Sequence, residues 1–494
     1  MKKHPPPPCP PKRTYNQPTS KFIGLLEKII SKPKECVLTA GLTKYGKDRS
    51  IFSGCTPAVV VKPSSTVEVA EVVKLCSEHT IPITTRGAGS GLEGGAIPLE
   101  KGVVLSTENL RKIEVDPVNM YVDVGAGVYK NELNKYLKKK YGLIFGPDPA
   151  SNPSLGGMVS TSGSGLSTIR YGTTRENVIS LVVVTPQGKI VRTRQKVRKA
   201  STGYELTQLY IGAEGTLGVV TEICARVFPL QRKRAGVVSV LPSLRSACEA
   251  VVSILKLPRG SLARCELLNA EMIEATNACY GTTLDCDPTL FLEFQSNNIE
   301  VIRREWERIK QELMKFGVRG TQYSEKEKEI DKIWGARRGC YWSVVKYRKL
   351  TMNKKKIDKN YSTDVCVPVS HLAQCVAETE EDFKKINLPC LICAHIADGN
   401  FHCNVPYQDD EKGLFKDAEK RLIQRTVRFG GAVSGEHGVG IGKRDHICLE
   451  HGETHINLQR SIKKALDPKF IMNPHKIFVM DDDNETKESI QSSL

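Results

Sequence analysis

Three glycine-rich segments between residues 86 and 220 constrain the fold more than any other feature of this chain. They are RGAGSG (86–91), PDPASNPSLGGMVSTSGSG (147–165) and IGAEGTLGVV (211–220), and each adjoins a strand-like run. Glycine lets a backbone approach a bound group closely, and successive N–H groups can form a nest for an anion. Any one of them is typical of an ordinary tight turn. Together they indicate a site for a large phosphorylated ligand. The first segment does not continue as G-x-G-x-x-G into a helix, which argues against a Rossmann dinucleotide site.

The segments around these loops alternate between strand-like and helix-like patterns, so the chain is predicted to be α+β. AVVVKPSS and VISLVVVTPQGKIV have strand patterns, whereas TVEVAEVVKLCSEH and NNIEVIRREWERIKQELMKFG have apolar residues at helical spacing. A length of 494 residues also suggests more than one domain. We predict a flexible Pro-rich arm (1–20), a first α+β domain (21–232), a second α+β domain (233–455), a C-terminal segment (456–480) and a polar tail (481–494).

Composition excludes several classes of protein. Apolar residues make up 40% and charged residues 26%, which is enough apolar material for ordinary cores and excludes overall disorder. No run approaches the roughly 20 apolar residues that a membrane-spanning helix needs, so no integral membrane contact is expected. The 16 cysteines follow a start, MKKHPPPPCPPKR, that lacks an apolar signal region. They are interpreted as reduced thiols of an intracellular protein.

A net charge of +17 leaves two kinds of partner open, nucleic acid and small anionic ligands. The basic runs at 192–199 and 354–356 lack the aromatic interleaving of a groove for single-stranded nucleic acid. We therefore expect no nucleic-acid partner. Binding of DNA or RNA is kept as the alternative function from a different class of protein.

The segment CLICAHIADGNFHCN (390–404) carries a candidate metal site. Asp398-Gly399 is a preferred two-residue hairpin turn, and residues whose numbers sum to 797 would then lie opposite each other. This register predicts that His395 faces His402 and that Cys393 faces Asn404, with all four on one face of the sheet. Two imidazoles placed in this way can bind one metal ion, or they can simply pack in a sheet. The CLIC run has no second C-x-x-C partner, so its thiols are interpreted as structural.

A second segment, SGEHGVG (434–440), could complete this site. Its glycines have no side chains that would block access, so that a substrate could approach Glu436 and His437. A carboxylate added to two histidines gives a set that suits Zn²⁺ or another divalent ion with an open position. His437 would remain as a general base beside the metal. A plain surface loop is the alternative reading of this segment.

Several ordered motifs resemble the vanillyl-alcohol oxidase/p-cresol methylhydroxylase (PCMH) superfamily. RGAGSGLEGG, the 147–165 segment, RYGTTRENV and STGYELTQLYIGAEGTLGVVTE are similar to its FAD domain. HIADGNFHCN and SGEHGVGIGKR resemble the C-terminal domain of its D-2-hydroxyacid dehydrogenase branch, and TDVCVPVSHL is close to the form in D-lactate dehydrogenases of the cytochrome type. The match covers roughly residues 40–480. It implies a PCMH-type FAD domain of two α+β subdomains, an α+β substrate or cap domain, and a C-terminus that returns to the FAD domain.

The resemblance also implies which residues surround the FAD. No histidine stands in the first glycine-rich loop, where covalently flavinylated members often carry one, so noncovalent FAD is predicted. The implied cofactor-binding residues are Arg86, Gly87, Ala88, Gly89, Ser90, Gly91, Pro147, Asp148, Ser151, Gly156, Gly157, Ser160, Thr161, Gly163, Glu214, Gly215, Gly218, Val220 and Asn473.

The implied chemistry is oxidation of a D-2-hydroxy acid, with D-lactate as the leading substrate. His395, His402 and Glu436 would hold Zn²⁺ or a similar ion, and His437 would remove the hydroxyl proton while a hydride passes to the flavin. The family pattern W-x-x-R places Arg337 at the substrate carboxylate, with Arg338 as the competing choice. Asn404 could hydrogen-bond the substrate.

Other readings stay open at this point. The substrate could be D-2-hydroxyglutarate or glycolate, and the chain could be an alkyl-dihydroxyacetonephosphate synthase-like peroxisomal flavoenzyme or an inactive flavoprotein scaffold. The acceptor could be cytochrome c, a quinone, an electron-transfer flavoprotein or O₂. A homodimer is also open. A mitochondrial or peroxisome-type organelle is expected. The C-terminal Ser492-Ser493-Leu494 is a variant of the S-K-L address without its basic middle residue.

Overall fold

The structure is a computed structural model that describes residues 14–351 and 360–479. The polar tail with Ser492-Ser493-Leu494, the basic run at 354–356 and residues 1–13 of the Pro-rich arm lie outside the described residues. Residues 14–19, which the sequence assigns to that arm, lie against the first domain. The backbone N–H of Asn16 donates to Thr80 O at 3.1 Å, and the Tyr15 hydroxyl donates to Phe470 O at 3.0 Å.

The first half of the chain forms two sheets and a short ribbon. One sheet has the order β1-β2-β4-β3, with β2, β4 and β3 parallel, and the other is antiparallel with the order β5-β6-β10-β8-β9. These two sheets correspond to the two subdomains expected for the FAD domain. The strands are β1 (Val37–Leu38), β2 (Val59–Val61), β3 (Ile83–Arg86), β4 (Val103–Ser106), β5 (Ile113–Asp116), β6 (Tyr121–Gly125), β7 (Leu143–Ile144), β8 (Val178–Val184), β9 (Ile190–Arg192), β10 (Val219–Arg226) and β11 (Phe228–Pro229).

The helices of this half pack against the sheets through apolar faces. Val69, Val72, Val73 and Cys76 on one face of the helix predicted from TVEVAEVVKLCSEH are buried, as the helical spacing requires. The helices are α1 (Ser20–Ile29), α2 (Pro33–Cys36), α3 (Thr66–His79), α4 (Lys130–Tyr141), α5 (Leu155–Thr161), α6 (Thr168–Tyr171), α7 (Thr174–Asn177) and α8 (Leu206–Tyr210).

The second half is built on one antiparallel sheet of eight strands. Its order is β15-β12-β14-β13-β18-β19-β16, and β17 also pairs with β19. The strands are β12 (Lys233–Val240), β13 (Leu262–Leu268), β14 (Thr289–Ser296), β15 (Gly320–Ser324), β16 (Asn360–Ser362), β17 (Val365–Cys366), β18 (Leu391–His395) and β19 (Asn400–Pro406). The helices are α9 (Leu244–Ile254), α10 (Ala270–Tyr280), α11 (Ile299–Lys315), α12 (Glu327–Arg338), α13 (Cys340–Thr351), α14 (Val369–Lys385), α15 (Lys412–Arg428), α16 (Ile447–His451) and α17 (Glu453–Leu466).

The C-terminal segment returns to the first domain. The N–H of Ile83 donates to Ile471 O at 2.7 Å, and the N–H of Asn473 donates to Ile83 O at 2.7 Å, so this segment runs parallel to β3. Ile471 and Met472 are fully buried in the core of the first domain. The α+β class and the return of the C-terminus are as the sequence predicts.

The hairpin of β18 and β19 has a different register from the predicted one. His395 pairs with Asn400 and Cys393 pairs with His402, so the register sum is 795 rather than 797. A 3-10 turn at Ile396–Asp398 followed by Gly399 at φ 78° makes a four-residue loop in place of a two-residue turn. The predicted pairings of His395 with His402 and of Cys393 with Asn404 are therefore both wrong. Because the register differs by two residues, both histidines still lie on one face of the sheet.

Candidate active site

A cavity of about 370 Å³ lies where the glycine-rich loops meet the second domain. The backbone of the first loop lines it together with small and hydroxyl side chains, and Gly89 and Gly215 hold φ of 64° and 72°, which glycine adopts without strain. The backbone N–H groups and the hydroxyl groups on this wall are neutral hydrogen-bond donors, which fit an anionic pyrophosphate. The cofactor-binding candidates on its wall are Gly87, Ala88, Gly89, Ser90, Gly91, Ser151, Gly156, Gly157, Ser160, Thr161, Gly163, Glu214, Gly215, Gly218 and Val220.

Four cofactor-binding candidates lie away from the cavity wall. The Arg86 guanidinium donates to Lys47 O at 2.6 Å, and Pro147 is buried. The Asp148 carboxylate forms ion pairs with Lys130 at 2.9 Å and with two arginines, so it is the shared anion of a cluster of ion pairs. The Asn473 amide donates to the backbone carbonyls of Gly95 and Glu214, and it holds the C-terminal segment in place.

His395, His402 and Glu436 come together at the end of the cavity that belongs to the second domain. Glu436 Oε1 lies 3.2 Å from His395 Nε2 and 3.3 Å from His402 Nε2. One ligand atom from each residue falls within 4.8 Å of the others. This donor set has the chemistry of a divalent-metal site with an open position.

The second nitrogen of each imidazole is already engaged. His395 Nδ1 lies 2.8 Å from Glu266 Oε1, and His402 Nδ1 lies 2.9 Å from Thr363 O. A proton on each Nδ1 therefore leaves both Nε2 lone pairs directed at the site, which is how metal-binding histidines are commonly oriented. The arrangement fits a metal ion better than a packed histidine pair, because nothing in simple packing requires both Nε2 atoms to converge on a carboxylate.

Asp364 holds the loop that carries Glu436 and His437. Its Oδ2 accepts the backbone N–H groups of Gly435, Glu436 and His437 at 2.8, 2.9 and 2.9 Å. Its side chain is fully buried. Burial alone would raise the pKa of Asp364, but the charge of Lys443 and the nearby hydrogen bonds outweigh it and hold that pKa well below its ordinary value. The loop is thus built around a buried anion.

Two further contacts join this loop to the first domain. Ser164 Oγ donates to Glu436 Oε2 at 2.8 Å. Glu214 accepts the N–H groups of Val439 and Gly440 at 2.7 and 2.9 Å. Burial is the main cause that raises the pKa of Glu214 to about 6. The glycine-rich loops therefore position the loop that carries Glu436 and His437, and they also line the cavity.

The protonation tendencies of the site follow from burial and charge. Burial opposes ionisation of Glu436, but His395 and His402 hold its pKa well below the ordinary range, so it is a carboxylate. Burial would lower the pKa of His395, yet Glu266 and Glu436 raise it well above its usual value. A bound cation would therefore displace a proton from that ring. Burial lowers the pKa of His437 to about 4, so His437 is neutral at neutral pH.

The candidates for substrate binding line the same cavity. Arg337 is buried, and its Nε donates to Glu266 Oε2 at 3.0 Å. Arg338 also lines the cavity, and its Nη2 pairs with Asp148 Oδ2 at 2.6 Å. Asn404 is buried on the face of β19 that carries His402. Each arginine already has a carboxylate partner. Either arginine would therefore interact with that carboxylate and with a bound anion at the same time.

Glu266, Asp364 and Ser164 are site residues that the sequence analysis did not single out. Asp364 stands in TDVCVPVSHL and Ser164 in SGSG, both motifs that carry the family resemblance, so the motifs held the signal. Glu266 lies in a plain strand, β13, and its sequence context carries no such signal. Its position beside β18 depends on a strand pairing that only the fold supplies.

Comparison with known proteins gives matches across nearly the whole chain. The family model "FAD linked oxidases, C-terminal domain" matches residues 230–477, and "FAD binding domain" matches residues 57–194. "Probable D-lactate dehydrogenase, mitochondrial" of Danio rerio is 36% identical over 449 residues, which are 89% of this chain and 88% of that protein. "D-lactate dehydrogenase [cytochrome] 1, mitochondrial" of Saccharomyces cerevisiae is 34% identical over 86% of this chain and 73% of its own length.

Two solved structures have a similar fold. A p-cresol methylhydroxylase with substrate bound superposes with a TM-score of 0.76 at 18% identity and covers 92% of this chain and 96% of its own. An alkyldihydroxyacetonephosphate synthase superposes with a TM-score of 0.70 at 19% identity and covers 94% of this chain and 87% of its own. At these identities the likeness concerns the fold.

Proposed function

The chain belongs to the family of FAD-linked oxidases, and from this premise we propose that it oxidises D-lactate to pyruvate. The observation that carries the proposal is the convergence of His395, His402 and Glu436, with His437 beside them, on a cavity lined by the FAD-domain loops. The names of the relatives support D-lactate as the substrate. D-2-hydroxyglutarate and glycolate are the competing 2-hydroxy acids, and a relative from Bacillus subtilis is named a glycolate oxidase subunit.

The substrate is proposed to bind through its carboxylate and its hydroxyl. Arg337 on the cavity wall would bind the carboxylate, since a guanidinium forms paired hydrogen bonds to such a group. Asn404 would donate to a substrate oxygen from β19. We expect Arg337→Lys to raise KM for D-lactate more than Arg338→Lys does. The reverse order would assign the carboxylate to Arg338.

Proton removal is assigned to His437. Its imidazole is 14% exposed and is neutral, and its ring stacks on that of His402 at a centroid distance of 4.9 Å. It therefore has a free lone pair beside the position that a hydroxyl would occupy at the histidine–carboxylate set. When bound, FAD accepts a hydride, and a divalent cation lowers the pKa of a hydroxyl. His395, His402 and Glu436 would hold that cation, and Zn²⁺ suits these ligands.

An anaerobic flavin-reduction experiment tests the substrate. The purified protein should carry noncovalent FAD that is released on denaturation. D-lactate should bleach the flavin, L-lactate should not, and D-2-hydroxyglutarate and glycolate should act more slowly. Pretreatment with a chelator should abolish bleaching while FAD stays bound. Failure to bind flavin after reconstitution, or equal bleaching by both enantiomers, would reject the proposal.

Replacement of the base gives the second test. His437→Ala should lower the rate of flavin reduction by about 10²- to 10⁴-fold, the usual contribution of general base catalysis, while the flavin spectrum stays normal. His371→Ala is a matched control, because His371 lies on α14 and does not line the cavity. An unchanged rate in His437→Ala would remove it from this role.

The acceptor and compartment are also proposals. Because the yeast relative is named a cytochrome-type mitochondrial enzyme, we propose a cytochrome as acceptor and a mitochondrial location. Reduction of ferricytochrome c by the D-lactate-reduced protein would support a cytochrome as the acceptor. Reduction of only a quinone or an electron-transfer flavoprotein would assign that molecule as the acceptor instead. No helix in residues 14–351 and 360–479 is long and apolar enough to span a bilayer.

A further inference from the structure

Arg49 is a cation on the cavity wall to which neither the sequence nor the proposed reaction assigns a role. It lines the cavity beside the first glycine-rich loop, and it is exposed. Arg337 and Arg338 also line the cavity, but each of them forms an ion pair with a carboxylate. Within residues 14–351 and 360–479, no carboxylate forms an ion pair with Arg49. Its positive charge is therefore available to an anion that enters the cavity.

The backbone around Arg49 is fixed along the first glycine-rich loop. Lys47 O accepts a hydrogen bond from the Arg86 guanidinium at 2.6 Å, and the N–H of Arg49 donates to Gly91 O at 3.0 Å. Arg86 and Gly91 are the first and last residues of RGAGSG. The segment 47–49 is thus hydrogen-bonded to both ends of this loop, which holds Arg49 beside the backbone that lines the cavity.

The carboxylate next to Arg49 in the chain does not neutralise it. Asp48 Oδ1 accepts the N–H of Ser50 at 3.0 Å and the Ser50 hydroxyl at 2.5 Å. The cations that the charge of Asp48 acts on are Arg86 and Lys476, and neither of these lines the cavity. Asp48 and Arg49 therefore act on different sides of this segment, with the guanidinium on the side of the cavity.

The glycine-rich loops themselves offer an anion only neutral donors on the cavity wall. These donors are the backbone N–H and hydroxyl groups of residues 87–91 and 151–163. The family model "FAD binding domain" contains both stretches, since it matches residues 57–194. FAD carries an anionic pyrophosphate, and a guanidinium binds phosphate oxygens through paired hydrogen bonds. Arg49 is placed to add a positive charge to these neutral donors.

We infer that Arg49 is a cofactor-binding residue whose guanidinium pairs with the pyrophosphate of FAD. A substrate carboxylate is the other anion expected in the cavity. That group is assigned to Arg337 on α12 of the second domain, whereas Arg49 is bonded to the first glycine-rich loop. The inference rests on membership of the FAD-linked oxidase family, and it does not require that the substrate is D-lactate.

Titration of FAD into the apoprotein, followed by the change in flavin fluorescence, tests the inference. Arg49→Gln should raise the Kd for FAD at least about 10-fold, the usual effect of losing a hydrogen bond between charged groups. The Kd for riboflavin, which has no phosphate, should change less than about 2-fold. Arg49→Lys should give an intermediate Kd for FAD, because it keeps the charge but loses the planar fork of donors.

Ionic strength separates an effect of charge from an effect of shape. Raising the salt concentration from about 0.05 M to about 0.5 M should weaken FAD binding to the unaltered protein more than to Arg49→Gln, because salt screens an exposed charge. Lys44→Gln is the matched control. It removes the same charge from an exposed residue in the 3-10 helix Leu42–Gly46, away from the cavity wall, and should leave the Kd for FAD within about 2-fold.

Three outcomes would overturn the inference. One is a normal Kd for FAD in Arg49→Gln. The second is an equal loss of affinity for FAD and riboflavin that does not depend on salt, which would indicate a structural role. The third is a raised KM for D-lactate at saturating FAD with a normal Kd for FAD, which would assign Arg49 to the substrate carboxylate. The flavin titrations use no substrate, so they stay decisive even if D-lactate is not oxidised.

Discussion

At the scale of single residues, the orientation of a site histidine depends on the group that contacts its second ring nitrogen. His395 lies between two carboxylates, with Glu266 at Nδ1 and Glu436 at Nε2. Glu266 in turn binds Arg337, so one buried glutamate links the histidine–carboxylate set to the cationic wall of the cavity. The orientation of His395 and the position of Arg337 are therefore coupled, which explains why a buried acid on a plain strand matters to the site.

Glu266→Gln should weaken metal binding about 10- to 100-fold, the usual effect of removing a partner behind a ligating histidine. The amide keeps the shape but not the charge that holds the Nδ1 proton. Metal content during chelator titration measures the effect, with flavin content and thermal unfolding followed in parallel. Glu271→Gln supplies the control, since Glu271 accepts the Cys390 N–H at 3.0 Å and does not line the cavity. Wild-type metal retention in Glu266→Gln would show that Glu266 does not support the site.

At the scale of elements, the hairpin of β18 and β19 shows what sequence pattern can and cannot determine. Alternation along a strand predicts that His395 and His402 share a face, and they do, with ring centroids 5.4 Å apart. The loop length was not predictable from Asp398-Gly399 alone, because Ile396–Asp398 forms a 3-10 turn. The turn type depends on packing of the loop against Val367, which is a contact that the sequence does not reveal.

Gly399→Ala should destabilise the protein and weaken metal binding. The residue has φ of 78°, which costs an alanine about 1–2 kcal/mol, and the new Cβ would lie 2.0 Å from Val367 O. We expect a loss of at least about 2 kcal/mol in urea unfolding, since the clash adds to the backbone strain. Gly413→Ala, in α15 with no atom near the new Cβ, should be neutral or stabilising by up to about 1 kcal/mol. Equal stability of the two variants would contradict a strained turn.

At the scale of the whole molecule, the family and the fold class are predictable from ordered motifs, and both are confirmed. The identity of ionic partners is not predictable in this way. Asp148, in the PDPAS motif, has the sequence context of a cofactor-binding residue, yet its partners include Arg264 of β13 and Arg338 of α12 in the other half of the chain. Such a cluster depends on how the two halves assemble, and local pattern carries no information about that.

The Asp148 cluster should make the stability of the assembled halves depend on pH. Burial alone would raise the pKa of Asp148, but Arg264, Lys130 and Arg338 outweigh it and hold the pKa below its ordinary value. Because the unfolded carboxyl has a pKa of about 3.9, the stabilisation is fully present well above that pH and declines as the pH falls through it towards the folded pKa.

Asp148→Asn removes this ionisation and leaves buried cations unpaired, so at pH 7 it should lower the free energy of unfolding by about 3–5 kcal/mol. The difference from the unaltered protein should begin to shrink below about pH 5 and keep shrinking as the pH falls towards the folded pKa, because Asp148 of the unaltered protein then takes up a proton when the protein unfolds. Urea unfolding across pH 3–7 measures both curves. Asp285→Asn, at an exposed position, should give a curve parallel to that of the unaltered protein. A difference between Asp148→Asn and the unaltered protein that stayed constant with pH would mean that Asp148 acts through its shape and hydrogen bonds rather than through its charge.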